Sequence, residues 1–570
     1  MILEIKKQIK NLLQEAGVEV EIDLVYPPKA ELGDLALPCF ALAKVMKVNP
    51  IEAAKAVTEK LKTKDLKLVD KIEAAGPYVN FYLNSQALAD LVLREIKKQG
   101  KNYGKNNLGK SKKILVEFAQ PNTHKAFHIG HLRGTLAGES LARILENADY
   151  KVTRVNYQGD VGMHIAKCLW GISQIRNYKS EVRNLKTIAE KVKWLGEAYA
   201  AGAKAFEESE KSRQEITAIN EKIYLGEDKE IKKLYKATRA WSLAYFAKIY
   251  KRLGTKFDRF YFESAMARAA IEIVKAALRA GVLEQSQGAV IFAGSKQGLH
   301  DRVFLNRLGL PTYEAKDLAL AEKQFKEFNP DKIIHVVARE QSEYFKVLFK
   351  VLEKTLPESR GREKHLLYGW VSLKSGKMSS RAGQVVLGEW LLDGIKKEID
   401  DIMKDSRVGD KDRVAEAVAS AAVKYAFLKT GLKNDINFDF KESVSLSGDS
   451  GPYLPYIVAR IKSILNKSKG IKKLKVKKSN FTVNEYEKSL LLKLAEFPEA
   501  AARAARALDP SVLAQYLFNL AQLFNSFYTQ CPILKAEKEV KSFRLSLIQV
   551  VEPVMERGLS LLGIKTVDKM

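Results

Sequence analysis

The stretch VEFAQPNTHKAFHIGHLR, Val116 to Arg133, decides how the rest of the chain is read. Its lead-in, Ile114 to Phe118, is a short apolar run of β-type residues, the pattern of a buried strand. Pro121, Asn122 and Thr123 break that run. After Gly130, apolar residues at Leu132, Leu136, Ala137, Leu141, Ile144 and Leu145 recur with a helical period. His128, Ile129, Gly130 and His131 therefore stand where a parallel strand hands over to a helix N-terminus. Such a place carries free backbone N–H groups and a partial positive charge, and it favours phosphate. Gly130 lets a flat ring approach the backbone with no Cβ in the way. The two imidazoles are donors for phosphate oxygens, and Lys125 adds a mobile cation on the same turn. Of the 7 histidines in the chain, three fall at His124, His128 and His131. That clustering beside a glycine and a lysine marks a site rather than three separate structural rings.

Working outward, a length of 570 residues allows roughly three or four domains, each able to bury its own core. The formal charge of +28 and a pI near 9.6 point to a polyanionic partner, nucleic acid first, with a generally basic proteome as the plainer alternative. Cys39, Cys168 and Cys531 are isolated, so neither a disulfide framework nor a CxxC metal site is available, and no structural metal is expected. The opening MILEIKKQIKNLL is amphipathic and charged throughout, unlike a signal peptide. No apolar run is long enough to cross a bilayer, so no membrane partner and a cytoplasmic location are expected.

The fold class that emerges is multidomain α/β. Residues 1–107 read as a small α+β domain. It would hold a helix at Ile2–Ala16, a strand in VEVEIDLVYP (18–27), a helix within GDLALPCFALAKVMK after Gly33-Asp34, a helix at Pro50–Leu61, and strands in KIEAAG and YVNFYL. The Lys- and Asn-rich run at 97–113 reads as a solvated connector, with RNA binding by its charge as the second reading. Residues 108–386 read as a Rossmann-like domain with strands at Ile114–Phe118, Lys151–Tyr157, Gly288–Ala293, Lys332–Val337 and Leu366–Leu373. An almost wholly helical block, about 165–283, is inserted into it as amphipathic scaffold. Residues 387–570 read as all-helical, interrupted by a basic segment at 462–480 that is either a plain surface loop or a contact for a phosphate backbone.

The second informative stretch is GWVSLKSGKMSSRAGQVV, 369–386. Apolar GWVSL reads as a strand, and KSGKMSSRAG as a Gly- and Ser-rich loop with three cations, Lys374, Lys377 and Arg381. Such loops order around a polyphosphate and stabilise the charge that grows on a leaving pyrophosphate.

HIGH at 128–131 together with KMSSR at 377–381 resembles the signature pair of the class I aminoacyl-tRNA synthetases. Along nearly the whole chain the sequence resembles the arginyl-tRNA synthetases. Pro121, Asn122 and Lys125 before HIGH fit that family's pattern, as do NYQGDVGMHIA (156–166), PTYEAKD (311–317), VVAREQ (336–341), SGDSGPYLPYIVARI (447–461) and DPSVLAQYLFNLAQLFNSFY (509–528). The motif's usual second lysine is Ser380 here, and the resemblance implies that Lys125 supplies the missing charge.

The resemblance further implies an enzyme that activates L-arginine with ATP, Mg²⁺ being carried with the ATP, and passes the arginyl group to tRNA(Arg). Activation would need bound tRNA, and the enzyme would be a monomer. His128, His131, Lys125 and Lys377 become the catalytic group. ATP would meet Gly130, Trp370, Val371, Met378 and Ser379 besides the two histidines and Lys377. Arginine would meet Glu117, Gln120, Pro121, Asn122, His131, Tyr313, Asp317 and Gln341, with Glu117 and Asp317 as the guanidinium acceptors. The N-terminal domain would read the tRNA elbow, and the C-terminal bundle the anticodon. In that bundle Tyr453, Tyr456, Arg460, Tyr516 and Asn519 either face splayed bases or pack in the core.

Overall fold

The structure, a computed structural model, describes residues 2–15, 23–62, 68–374, 386–406, 408–468 and 482–570. At its centre is a five-stranded parallel sheet in the spatial order Glu363–Tyr368, Lys332–Ala338, Lys113–Glu117, Lys151–Gln158, Arg259–Phe262. Chain order reverses between Lys113–Glu117 and Lys332–Ala338, where Ile114 pairs with Lys332 and Glu117 with His335. At such a reversal the connections leave to opposite faces and open a crevice beyond the carboxyl ends of the strands. The two-residue period of a strand explains why the lead-in is apolar throughout. Ile114 and Val116 enter the core on one face, and Leu115 enters the core on the other.

The face that receives Ile114 and Val116 is covered by the helix Ile129–Asn147. That helix is buried on nearly every side because Lys411–Leu428, Glu485–Ala507 and Lys538–Leu561 pack around it. The opposite face is covered by Glu263–Arg279, Tyr313–Phe328 and Ser342–Thr355. Helices from Met163–Gln174 to Lys229–Leu253 form the insertion, with a small core of their own around Trp194, Leu195 and Ile172.

Several sequence expectations are corrected. Leu35–Pro38 is a strand rather than the start of a helix, which begins only at Phe40; a helix running through Pro38 would lose a hydrogen bond and clash with the preceding turn. The strand near Gly288–Ala293 lies outside the central sheet. Gln287 and Gly288 both have positive φ, so Glu284–Ser286 and Ala289–Phe292 close as an antiparallel hairpin, extended by Arg302–Leu305. The helical block at 165–283 hides one strand, Arg259–Phe262, which pairs with Val155–Gln158 at the edge of the sheet. The single strand expected at Leu366–Leu373 is two, Glu363–Tyr368 in the central sheet and Val371–Leu373 paired with Ile436–Phe438.

The run at 97–113 is mostly exposed, as a solvated connector would be, but it is anchored at its middle. The helix Ser85–Gln99 continues into it, and Tyr103 is buried with its hydroxyl donating to the Leu494 carbonyl at 2.7 Å. Gly104 passes so near the Phe497 ring that a Cβ would come within 2.3 Å of it. Of the expected strand at 18–27, residues 18–22 lie outside the described residues, and Val25 forms an isolated bridge with Ala36. In the basic segment at 462–480, the residues up to 467 belong to the helix Tyr453–Lys467, and 469–480 lie outside the described residues.

Candidate active site

A cavity of about 1360 Å³ opens at the carboxyl ends of the parallel strands, at the reversal of chain order. Of the residues singled out from the sequence, Glu117, Gln120, Asn122, Lys125, His128, Gly130, His131, Tyr313, Asp317, Gln341, Trp370 and Val371 line it. Pro121 is buried but not in the wall. Lys377, Met378 and Ser379 lie outside the described residues.

At the helix end of the cavity, His128 is the N-cap of Ile129–Asn147. Its Nδ1 accepts from the backbone N–H groups of Gly130 at 3.1 Å and His131 at 3.4 Å, while His131 Nδ1 accepts from the His128 N–H at 3.3 Å. The Ile129 N–H donates to the Val386 carbonyl at 3.0 Å. This corrects the expectation of free backbone donors: the first-turn N–H groups already have partners. A ring nitrogen that accepts is unprotonated, so in each neutral imidazole the proton sits on Nε2. Burial first, and then the charge of Lys125, hold His128 below the usual histidine range; burial, His128 and Lys125 do the same for His131. The two rings stack with centroids 3.7 Å apart. Gly130 is required by this cap, because a Cβ there would lie 2.9 Å from His128 Cε1.

The approach to this turn is strained. Ala119, Gln120 and His124 have φ of 76°, 43° and 63°. Three contacts hold it. Gln120 Nε2 donates to Glu117 at 2.8 Å, the Thr123 N–H to the Gly159 carbonyl at 2.8 Å, and the His124 N–H to Ser242 Oγ of the insertion at 3.0 Å. The Lys125 ammonium rests 5.4 Å from the centre of the Tyr199 ring, also in the insertion.

At the sheet end, three carboxylates converge: Glu117, Glu263 and Asp317. Glu117, which the resemblance implies as a guanidinium acceptor, lines the cavity, and both its oxygens already have partners. Its Oε1 meets His335 Nδ1 at 3.2 Å and its Oε2 accepts from Gln324 at 2.7 Å, while His335 Nε2 meets Glu363 at 2.8 Å. Burial pushes the Glu117 carboxyl up, but His335 and the two amide donors outweigh it and hold it low. His335 is raised to about 10 against its own burial by Glu117 and Glu363. The charge of Glu117 is thus partly offset by His335, which it shares with Glu363.

Glu263, at the carboxyl end of the edge strand Arg259–Phe262, is ion-paired with Lys316. Burial raises the Glu263 carboxyl, with Lys316 opposing. Asp317 accepts from the Tyr344 hydroxyl and has no cation partner among the described residues. Burial, with the nearby charges of Glu117 and Glu263, raises its carboxyl to about 8.

Glu263, Lys316 and His335 were missed in the sequence. The signals were a Glu at the end of a short aromatic run, a Lys inside the quoted PTYEAKD, and a lone His in an apolar strand.

In the C-terminal bundle two of the proposed base-facing residues are corrected. Tyr516 is 2% exposed, packs on Phe497, and donates to the Lys493 carbonyl at 2.7 Å. Tyr453 is buried with its hydroxyl on the Ala521 carbonyl. Neither ring has a free face for a base. Tyr456 and Arg460 are half-buried, and the Arg460 guanidinium lies between the rings of Tyr456 and the exposed Tyr528. Asn519 is half-buried and accepts from Gln515.

Comparison with known proteins bears on all three parts of the chain. Residues 92–440 match the family model of the class I (R) tRNA synthetase catalytic domain, 454–570 the DALR anticodon binding domain, and 3–83 the arginyl tRNA synthetase N-terminal domain. The arginine–tRNA ligase of Treponema denticola is 36% identical over 563 residues, spanning 96% of this chain and 95% of that protein. The one from Clostridium acetobutylicum is 32% identical over 576 residues, spanning the whole of both. The arginyl-tRNA synthetase structure of Thermus thermophilus superimposes with a TM-score of 0.80 at 26% identity, over 100% of this chain and 99% of that one.

Proposed function

Since the chain belongs to the class I arginyl-tRNA synthetase family, we propose how its cavity carries out arginine activation and transfer. The protein is an arginine–tRNA ligase that uses ATP as a substrate. One observation carries the assignment of roles. One cavity presents a buried carboxylate with no cation partner among the described residues, Asp317, at one end and two Nε2–H donors with a mobile ammonium at the other.

Arginine has a planar, permanently charged guanidinium with five donors. Asp317 and Glu263 accept it, with Tyr313 beside them, while Gln341 and Asn122 hold the α-amino end. Glu117 buttresses Gln120 and does not touch the substrate. Lysine is rejected because an ammonium cannot present two parallel donors to two acids, which leaves an acceptor unpaired.

The α-carboxylate of arginine attacks the α-phosphate of ATP in line, giving arginyl-adenylate and pyrophosphate. No side chain is needed as nucleophile or base, since the carboxylate is already ionised. Catalysis is positioning and charge stabilisation. The Nε2–H groups of His128 and His131 donate to phosphate oxygens. Lys125 lies in the cavity wall, and the KMSSR motif assigns Lys377, Met378 and Ser379 to the same triphosphate. Gly130, Trp370 and Val371 bound the adenine, and Mg²⁺ arrives with ATP as part of that substrate. The arginyl group then passes to the 2′-hydroxyl of the terminal adenosine of tRNA(Arg), and bound tRNA is required for the first step.

The working division is 1–107 for the tRNA elbow, 108–386 for chemistry with the insertion at about 165–283, and 387–570 for the anticodon. In the last, Tyr456, Arg460 and Tyr528 form the base-facing cluster. The enzyme acts as a cytoplasmic monomer.

ATP–pyrophosphate exchange with each amino acid, with and without tRNA, tests the reading: exchange with arginine and tRNA only is expected. Lys125→Ala should cut single-turnover activation far more than tRNA binding. Unchanged activation in that variant removes Lys125 from the mechanism.

A further inference from the structure

Arg133, immediately after the histidine turn, is 1% exposed, among the most deeply buried charged side chains described. Its Nη2 forks to two backbone carbonyls, Leu432 at 2.9 Å and Asn434 at 2.7 Å. Its Nε and Nη1 have no hydrogen-bond partner among the described residues. A buried cation with unpartnered donors is costly, and an apolar side chain of similar size often serves stability as well or better. Stability alone therefore does not account for an arginine here.

The turn that receives the fork explains it. The Leu432 carbonyl also accepts from the Gly369 N–H at 3.0 Å. One residue further, Asp435 Oδ1 accepts from the Trp370 N–H at 2.8 Å and Oδ2 from Arg339 at 2.9 Å. The Trp370 carbonyl in turn accepts from the Ile436 N–H at 2.8 Å. At Gly369 the chain runs so close under Asn434 that a Cβ would come within 2.5 Å of its carbonyl oxygen. From Ile436 the strand pairs with Val371–Leu373, in register as far as Leu373–Phe438. Both backbone groups of Trp370, and the strand that leads to the second cationic loop, are thus fastened to residues 432–438. Arg133 fastens that turn to the helix carrying His128 and His131.

We infer that Arg133 is a positioning residue for the nucleotide half of the reaction. Through the turn at 432–435 it sets the Gly369–Val371 platform in register with the His128–His131 turn, so that both walls meet the same ATP. It touches neither ATP nor arginine. The inference rests on the proposal that ATP lies between these two walls.

The test uses the full-length enzyme in arginine- and tRNA-dependent ATP–pyrophosphate exchange, together with its melting temperature. Arg133→Met removes the fork and keeps an apolar side chain in the space. Its kcat should fall about tenfold or more and its KM for ATP rise about fivefold, with KM for arginine within about twofold. The melting temperature should move by only about 4 °C or less, because an unpaired buried charge leaves with the fork. Arg133→Lys restores a donor, so it should recover a good part of kcat. A folded Arg133→Met enzyme with unchanged kcat and KM for ATP overturns the inference, and so does a parallel rise of both KM values. If that variant does not fold, exposed Asp435→Ala, which frees the Trp370 N–H, decides: a raised KM for ATP alone supports the latch, and an unchanged one overturns it. Wild-type enzyme that shows no exchange with arginine and tRNA would instead overturn the underlying reading of the cavity.

Discussion

The two ends of the cavity handle charge in opposite ways. At the sheet end charge is abundant and largely cancelled: Glu117 is matched by His335, Glu263 by Lys316, and of the three only Asp317 has no cation partner among the described residues. At the helix end both imidazoles are kept neutral by burial and by Lys125, and their acceptor nitrogens are used up in capping the helix. The sheet end is suited to one compact cation of fixed shape. The helix end offers polar N–H donors, which bind a polyanion without bringing a buried charge that must be compensated when the site is empty. One end selects by charge balance, the other by the placement of dipoles.

The sharpest way to break this contrast is at Asp317. Asp317→Asn removes the guanidinium acceptor that has no cation partner among the described residues and should lower kcat/KM for arginine by roughly a thousandfold, about 4 kcal/mol, with KM for ATP unchanged. A comparable loss on the ATP side would show that the ends are not separable.

His128→Asn sharpens the other half. Asparagine still caps a helix, so the fold of the turn should survive, but the Nε2–H is gone. Exchange kcat should fall about a hundredfold with KM for arginine unaffected. A loss confined to melting temperature would reduce His128 to a cap.

The pH dependence should belong to the sheet end alone. A carboxyl raised to about 8 is mostly protonated at lower pH, and arginine binds its ionised form. Arginine affinity should therefore strengthen as pH rises toward 8, by up to about tenfold per unit, and level off above it. Calorimetry in buffers of different ionisation enthalpy should register proton release on arginine binding. ATP affinity should show no comparable rise with pH, because burial and Lys125 hold both imidazoles below the usual histidine range.

The smallest effect is expected at Glu117. Glu117→Gln should destabilise the protein, since it unbalances a buried network with His335 and Glu363, yet leave KM for arginine within about twofold. A loss of arginine affinity as large as that of Asp317→Asn would return Glu117 to the substrate.

The contrast also locates the limits of sequence reading. The strand, the break at Pro121 and the amphipathic run after Gly130 are local patterns, and the crevice they imply is where the cavity lies. Asp317, His128 and His131 line the cavity and each sits in a motif, whereas His124, counted with them, is a buried ring held by Thr123 and Thr238 outside the cavity wall. The fate of Glu117 was not, because His335 and Glu363 lie 218 and 246 positions away and arrive only through neighbouring strands. The short strand Arg259–Phe262 was invisible for a related reason: four residues between long helices become a strand only when an edge of the sheet is there to pair with. Tyr516 could equally have faced RNA or the core, and only the packing of Phe497 against it decided.

By itself the sequence determined the class of architecture, the order of its parts, and the strand-to-helix turn built around HIGH, because these depend on periodicity and on residues adjacent in the chain. Tertiary structure alone decided which acids remain open to a substrate and which backbone groups are already occupied. Those properties depend on partners brought together from distant strands and helices. Burial among such partners sets the charge a side chain carries, and no local pattern encodes it.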